Sequence, residues 1–139
     1  TPEKDAYIGL LLALDMIMTL DQNLGDYLDD LRNKYGSYYP DKDGIVVSRR
    51  GDALNETLKQ LDRYREGDTL DIGGSPRIIK RVITVDGYKF ILDDDSWLMI
   101  RPSGTEPKVR FYVEARSGNE TELLLQTAKS MLAEIGLVA

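Results

Sequence analysis

The sequence contains no cysteine and no histidine. The chain therefore cannot form disulfides, thiol nucleophiles, histidine-based catalytic triads or the zinc sites that use these side chains. The missing cysteines are compatible with a reducing compartment. Glu3, Lys4 and Asp5 differ from the basic start of a secretory signal peptide, so we expect a cytoplasmic location.

The sequence also lacks an excess of positive charge, since its 139 residues carry a net charge of -6. Binders of nucleic acid and of membrane surfaces need a broad cationic face, so neither partner is expected. Apolar residues make up 42% of the chain, which is typical of a folded globular domain. The length suits one domain with a single core, or one domain plus a fragment.

The first long apolar run, YIGLLLALDMIMTL, begins at Tyr7 and ends at Leu20. A helix that is apolar around its whole circumference needs burial on every side. The run is shorter than the roughly 20 residues that a bilayer requires, so no membrane partner is expected. We predict a core helix, and we expect the chain to self-associate through it if no other surface covers it.

Further helices and turns are predicted in the first half of the chain. Residues 24–35 have the spacing of an amphipathic helix ended by Gly36, and a third helix is predicted from about Asp52 to residue 66. Between them a strand-like segment is predicted, with DKDG at residues 41–44 as a turn that breaks it before Ile45, Val46 and Val47. DIGGSPR at residues 71–77 is interpreted as a loop, whose Gly73-Gly74 pair matches no nucleotide-binding fingerprint.

The second half of the chain predicts consecutive strands. Residues 78–85 and 88–92 form a hairpin around Asp86-Gly87, and strands follow at residues 97–100 and 108–116. A last helix is predicted to start at Asn119, with Glu122 completing a capping box. Since consecutive strands form hairpins, the sheet is expected to be mainly antiparallel, and the fold class is α+β.

The stretch RPSGTEPKVR, residues 101–110, combines the groups that hold phosphate in proteins. These groups are backbone N–H donors, hydroxyls and arginine forks. The glycine is expected to allow backbone torsions that a side chain would forbid. The alternative is an ordinary turn between two strands, with its cations in solvent. We favour a phosphate site over this alternative because three cations crowd one connection in an acidic chain. The candidates are Arg101, Ser103, Gly104, Thr105 and Arg110, with Lys108 as a further candidate.

Two groups of carboxylates raise the question of a metal site. One comprises Asp26, Asp29 and Asp30 on the second helix, and the other is the run at residues 93–95. The calcium-loop pattern D-x-D-x-D-G is absent, and both groups are interpreted as solvated surface. We predict no metal ligand and no catalytic residue in this chain.

The stretch RPSGTEPKVRFYVEA, preceded by DSWLMI, closely resembles the C-terminal signature of the α-D-phosphohexomutases. These are the phosphoglucomutases and phosphomannomutases, with the phosphoglucosamine mutases as relatives. The resemblance implies that residues 23–139 form the family's fourth domain, an α+β domain with a four-stranded antiparallel sheet and two packed helices. EKDAYIGLLLALDMI is similar, more loosely, to the end of the third domain, so residues 1–22 would be that domain's C-terminal helix.

What the resemblance implies is reversible transfer of phosphate between the 1- and 6-positions of a hexose phosphate, through a bisphosphorylated intermediate. Arg101, Ser103, Gly104 and Thr105 would grip the substrate phosphate, with Arg110 as a further cation. The family's T-x-S-H-N phosphoserine loop and D-x-D-x-D-R metal loop have no match here. The chain alone is therefore expected to be inactive, with magnesium bound outside it in the remaining domains of a parent enzyme.

Two other functions stay open at this point. The chain could be a free-standing module that binds phosphosugars or other anions, or a structural interaction domain whose first helix docks on a partner. Nor does the resemblance indicate whether glucose, mannose or glucosamine phosphate is preferred, because the family reads sugar hydroxyls in other domains.

Overall fold

The computed structural model describes residues 5–137, and within them the chain forms four α-helices, one short 3₁₀ helix and six strands. Contacts divide the chain into two units, one ending at Ser37 and the other beginning at Tyr38. In chain order the elements are α1 (Ala6–Leu20), α2 (Leu24–Tyr35), β1 (Tyr39–Val46), α3 (Gly51–Leu58), the 3₁₀ helix (Lys59–Arg63), β2 (Thr69–Ile72), β3 (Ser75–Ile83), β4 (Tyr88–Leu92), β5 (Trp97–Pro102), β6 (Lys108–Ala115) and α4 (Gly118–Glu134).

The first unit consists of α1 and α2, and both predicted helices are confirmed. Asp5 caps α1, because its carboxylate accepts hydrogen bonds from the N–H groups of Tyr7 and Ile8 at 2.8 and 3.3 Å. Gly36 ends α2 with a φ of 86°, and its N–H donates to the carbonyl of Arg32 at 2.8 Å.

Helix α1 exposes the apolar side chains that its sequence was expected to bury. None of its residues is buried, and Met18 is 82% exposed. The expected burial is therefore absent within the described residues. In that same part of the chain, no single helix is long and apolar enough to cross a membrane. Only α1 and α2 taken together meet the length and composition required, and they are bent by 80° at the break between them.

The second unit contains an antiparallel sheet of six strands in the order β1-β6-β5-β4-β3-β2. The α+β class is confirmed for the described residues, whereas the predicted number of four strands is wrong. The two edge strands are β1 and β2. Strand β1 comes from a segment predicted to be strand-like but broken by a turn, and β2 ends in the segment that was interpreted as a loop.

Strand β1 includes the DKDG segment that was predicted to be a turn. Its pairing with β6 is continuous, from Tyr39 opposite Ala115 to Val46 opposite Lys108. A Cβ on Gly44 would lie 2.9 Å from the carbonyl oxygen of Val109, so glycine permits this close approach. An edge strand tolerates acidic residues and proline, and the ladder to β6 holds this segment extended.

The predicted loop at residues 71–77 is a hairpin between β2 and β3. Gly73 and Gly74 form its turn, with φ values of 60° and 88°. Positive φ at both central residues is the requirement of a type I′ turn, which joins antiparallel strands tightly. The hairpin predicted at Asp86-Gly87 is confirmed, although the connection between β3 and β4 comprises residues 84–87.

The core lies between one face of the sheet and the helices α3 and α4. Along β6, Val109, Phe111 and Val113 are fully buried, and they alternate with half-buried polar residues on the other face. Leu54 of α3 and Leu132 of α4 belong to the same core. The second face, here called the open sheet face, carries the side chains of Lys108, Arg110, Tyr112 and Glu114 from β6 and their cross-strand neighbours.

Helix α4 begins earlier than the sequence predicted. Ser117, not Asn119, is the cap, and its hydroxyl accepts a hydrogen bond from the N–H of Glu120 at 3.3 Å. The capping box is therefore Ser117-x-x-Glu120, the same pattern shifted by two residues.

Candidate functional site

Residues 103–107 connect the end of β5 to the start of β6. The N–H of Ser103 donates to the carbonyl of Lys108 at 2.8 Å, and the N–H of Lys108 donates to the carbonyl of Glu106 at 2.8 Å. The carbonyl of Pro107 accepts from the N–H of Val47 at 3.0 Å. These bonds define the path of the connection and tie it to the segment that follows β1.

An open cleft of about 200 Å³ lies beside this connection. It brings together three of the predicted phosphate ligands and adds two arginines that the sequence reasoning missed. A signal was present, since two consecutive arginines precede a helix in an acidic chain. The cleft is lined by Arg49, Arg50, Gly51, Leu54, Ser103, Gly104, Thr105, Glu106 and Pro107.

The backbone at position 104 has a conformation that residues other than glycine can also adopt. Its φ lies outside the positive range, and an added Cβ would meet nothing within 4 Å. The expectation that Gly104 adopts torsions forbidden to other residues is therefore wrong. Its lack of a side chain instead leaves backbone accessible at the cleft.

Arg101 and Arg110 are directly opposite each other on β5 and β6. Like charges in this position destabilise a strand pair unless other charges compensate them. Arg110 donates to the Glu106 carboxylate at 2.8 Å, and Arg101 donates to the Asp86 carboxylate. These hydrogen bonds raise the pKa of both guanidinium groups. The Nε of Arg101 is buried without a hydrogen-bond partner among the described residues.

Tyr112 lies among the cations of the open sheet face. The guanidinium carbon of Arg101 lies 5.6 Å from the centre of its ring. Partial burial acts to raise the pKa of the phenol, but the neighbouring Arg110 and Arg101 outweigh burial and hold the pKa below its ordinary value of 10. The two arginines therefore favour an anion at this position even after pairing with carboxylates.

Lys108 and Arg110 line a second open cavity, of about 360 Å³, together with Lys42, Asp43, Gly44 and Tyr112. The structure therefore divides the predicted site residues. Ser103, Gly104 and Thr105 line the cleft, whereas Lys108, Arg110 and Arg101 belong to the open sheet face.

The turn at Asp86-Gly87 packs against the end of β5. Gly87 has a φ of 99°, and a Cβ there would lie 2.6 Å from the Cβ of Arg101. Only glycine allows this approach, which places the Asp86 carboxylate at the Arg101 guanidinium. The sequence predicted the turn but not its contact with the candidate site.

In residues 5–137, no group of three or more acidic side chains is arranged to hold a metal ion. The run at residues 93–95 has structural contacts instead. Asp94 accepts from the N–H of Ser96 at 3.0 Å and pairs with Arg77 at 3.0 Å, while Asp95 pairs with Lys80 at 2.7 Å. Magnesium binding elsewhere in a parent enzyme stays a prediction.

Comparison with known proteins identifies the family. The family described as "Phosphoglucomutase/phosphomannomutase, C-terminal domain" matches residues 48–129, which include the cleft and both strands beside it. The chain belongs to this family, and the predicted resemblance is confirmed.

Three curated relatives match most of this chain. A phosphopentomutase of Thermococcus kodakarensis is 28% identical across 96% of this chain and 28% of its own length. A probable phosphoglucosamine mutase of Methanosphaera stadtmanae is 35% identical across 91% of this chain and 26% of its own length. A phosphomannomutase of Mycoplasmoides pirum is 32% identical across 96% of this chain and 25% of its own length. The chain thus spans about a quarter of the length of these relatives.

Proposed function

We propose that this chain is the substrate-phosphate-binding domain of a phosphohexomutase. The parent enzyme would interconvert hexose 1-phosphate and hexose 6-phosphate through a bisphosphorylated intermediate. The observation that carries the proposal is the cleft at residues 103–107, which presents the hydroxyl-bearing residues Ser103 and Thr105 beside the open backbone of Gly104. Hydroxyl and backbone donors beside cations are the groups that bind phosphate.

The names of the relatives support phosphate, and not the sugar, as the ligand of this domain. These names specify mannose, glucosamine and pentose substrates, although all three proteins match the same region. The part that such substrates share is the phosphate group. A domain common to all of them is therefore expected to recognise that group.

The domain assignment and the cofactor belong to the same proposal. Residues 23–139 would form the phosphate-binding domain, and residues 1–22 would belong to the preceding one. The nucleophile and magnesium would be supplied by other domains of a cytoplasmic parent enzyme, so this chain alone would not catalyse the transfer.

The test is a titration of the isotopically labelled chain with inorganic phosphate or glucose 6-phosphate, followed by amide NMR. A few charge-assisted hydrogen bonds, each contributing about 1.5–3 kcal/mol before the entropy of association is subtracted, predict a Kd around millimolar. The amides of residues 101–110 should shift, and added salt should weaken binding. Flat signals at these residues up to concentrations of about ten times that Kd would disprove the phosphate site.

A further inference from the structure

The segment between β1 and α3 is held beside the connection of residues 103–107. The N–H of Val47 donates to the carbonyl of Pro107 at 3.0 Å, next to the last paired residues of β1 and β6. Leu54 of α3 is 4% exposed and anchors the other end of this segment in the core. Arg49 and Arg50 therefore line the cleft from a segment fixed at both ends.

Arg49 and Arg50 differ from the other arginines near the cleft in their ionic partners. Among the described residues, neither guanidinium forms a salt bridge. Glu106 also lines the cleft, but its carboxylate accepts a hydrogen bond from Arg110. Arg101 is likewise paired with Asp86. The arginines predicted from the sequence thus have carboxylate partners, whereas residues 5–137 provide none for the two in the cleft.

Arg49 is oriented by a neutral partner. Its guanidinium donates to the hydroxyl of Thr57 at 3.1 Å, and that hydroxyl donates to the carbonyl of Ala53 at 2.8 Å. Thr57 is 7% exposed, so its position is set by the packing of α3. This arrangement limits the conformations of Arg49 without reducing its charge, which lowers the entropy cost of binding an anion.

We propose that Arg49 and Arg50 are phosphate-binding residues of this domain. They would supply the uncompensated positive charge for a phosphate monoester dianion that Ser103, Gly104 and Thr105 contact from the other side of the cleft. This inference rests on the proposed function and adds two residues to its site. Guanidinium groups bind such dianions strongly because their N–H groups match two oxygens at once.

The inference is tested by titrating inorganic phosphate into the full 139-residue chain and into the double variant Arg49→Gln/Arg50→Gln, at neutral pH and matched ionic strength. The double variant should bind about tenfold more weakly or worse, because it removes charge-assisted hydrogen bonds. Arg81→Gln is the matched control, since Arg81 is exposed, lies on β3 and does not line the cleft. Its Kd should stay within about twofold of that of the unmodified chain.

The possible results separate the two claims. If the double variant binds phosphate as the unmodified chain does, with shifts still centred on residues 103–107, Arg49 and Arg50 are not ligands but the proposed function stands. Equal weakening by Arg81→Gln would also overturn the inference, because it would indicate only a nonspecific charge effect. If the unmodified chain shows no shifts at residues 101–110, the proposed function itself fails. Amide spectra of the variants verify that they are folded.

Discussion

Gly87 and Gly104 lie near the two ends of the candidate site but have different physical roles. Gly87 combines a positive φ with a close approach to Arg101, so it is needed for the fold. Gly104 has an ordinary φ and open space around it. If glycine is needed at position 104, the reason would therefore be a ligand that approaches its backbone, and not the fold.

The substitution Gly104→Ala separates folding from binding at this position. We expect its free energy of unfolding to stay within about 1 kcal/mol of the original, because the backbone tolerates a Cβ. Phosphate affinity should nevertheless fall, since the methyl group would project into the cleft. Chemical denaturation and phosphate titration measure the two quantities. Gly118→Ala, at another open position, is the control. It should leave phosphate affinity unchanged, and because Gly118 begins α4 it should raise stability by no more than about 1 kcal/mol. Unaltered affinity in Gly104→Ala would argue against close contact with the ligand.

The lowered pKa of Tyr112 predicts a specific dependence of stability on pH. Because the folded-state pKa lies below the unfolded value of about 10, the contribution to stability is present above pH 10 and disappears as the pH falls through the folded-state pKa. Tyr112→Phe should therefore lose more stability in alkaline solution than at neutral pH. Absorbance titration should show that this variant lacks a phenol that ionises below pH 10. If the phenol that is absent from the titration curve of Tyr112→Phe is one that ionises above pH 10, the lowered pKa of Tyr112 is wrong.

Tyr88 provides the opposite case in the same titration. Its burial, followed by its interaction with Asp62, raises the pKa to about 12. The ionisation of the Tyr88 phenol near pH 12 should therefore appear unchanged in the absorbance titration of Tyr112→Phe.

Among the elements, α1 has the largest mismatch between composition and surroundings. Leu11 is 64% exposed and Met18 is 82% exposed. Covering each such side chain would contribute about 1.5–3 kcal/mol, which is a strong drive towards contact with a second copy of the chain. In the parent enzyme the preceding domain would take that place.

Association through α1 predicts that the sedimentation coefficient of the chain rises with concentration. The double variant Leu11→Asp/Met18→Asp should shift the chain towards a monomer. Val85→Asp is the control, because Val85 is 93% exposed but lies in the β3–β4 connection. If the unmodified chain is monomeric at high concentration while α1 is well protected from amide exchange, the association hypothesis is wrong.

At the scale of the whole molecule, a chain of net charge -6 concentrates cations around one connection. Arg49 and Arg50 line the cleft, and Arg101 and Arg110 meet on the adjoining strands. Because the chain as a whole is acidic, this cluster of cations is expected to direct an anion to this region. This charge distribution suits phosphate binding, and the proposed function places the nucleophile in other domains.

We therefore expect no mutase turnover by this chain alone. An assay with glucose 1-phosphate, magnesium and a bisphosphate activator should give no conversion above background. Conversion at a rate proportional to the concentration of the chain would contradict the proposal that catalysis needs other domains.

In the parent enzyme, Arg101→Ala should raise KM for the sugar phosphate and lower kcat/KM by about one to three decades. The reason would be the loss of positive charge from the strand that leads into the cleft, while the fold should be retained because Arg101 lies near a strand end. Thr105→Ala should have a smaller effect, since it removes a neutral donor. Steady-state kinetics compare the two variants. A larger effect of Thr105→Ala would show that the hydroxyl, and not the cation, dominates recognition.

The sequence by itself determined the features that depend on neighbouring residues. The helices α1 and α2, the strict alternation along β6 and the composition of the β5–β6 connection all follow from local spacing and turn chemistry. The resemblance carried by residues 95–115 was sufficient to predict the family. These features need no knowledge of which distant segments meet.

Only the tertiary structure decided which distant segments meet and which charges remain uncompensated. DKDG is a strand because β6 supplies its hydrogen-bond partners, and the Gly73-Gly74 loop is a turn because β2 and β3 pair across it. Arg49 lines the cleft because Val47 bonds to Pro107, while Arg101 is paired with Asp86 from another hairpin. Ladder bonds and ion pairs join residues far apart in the chain, so local patterns of polarity contain no signal for them.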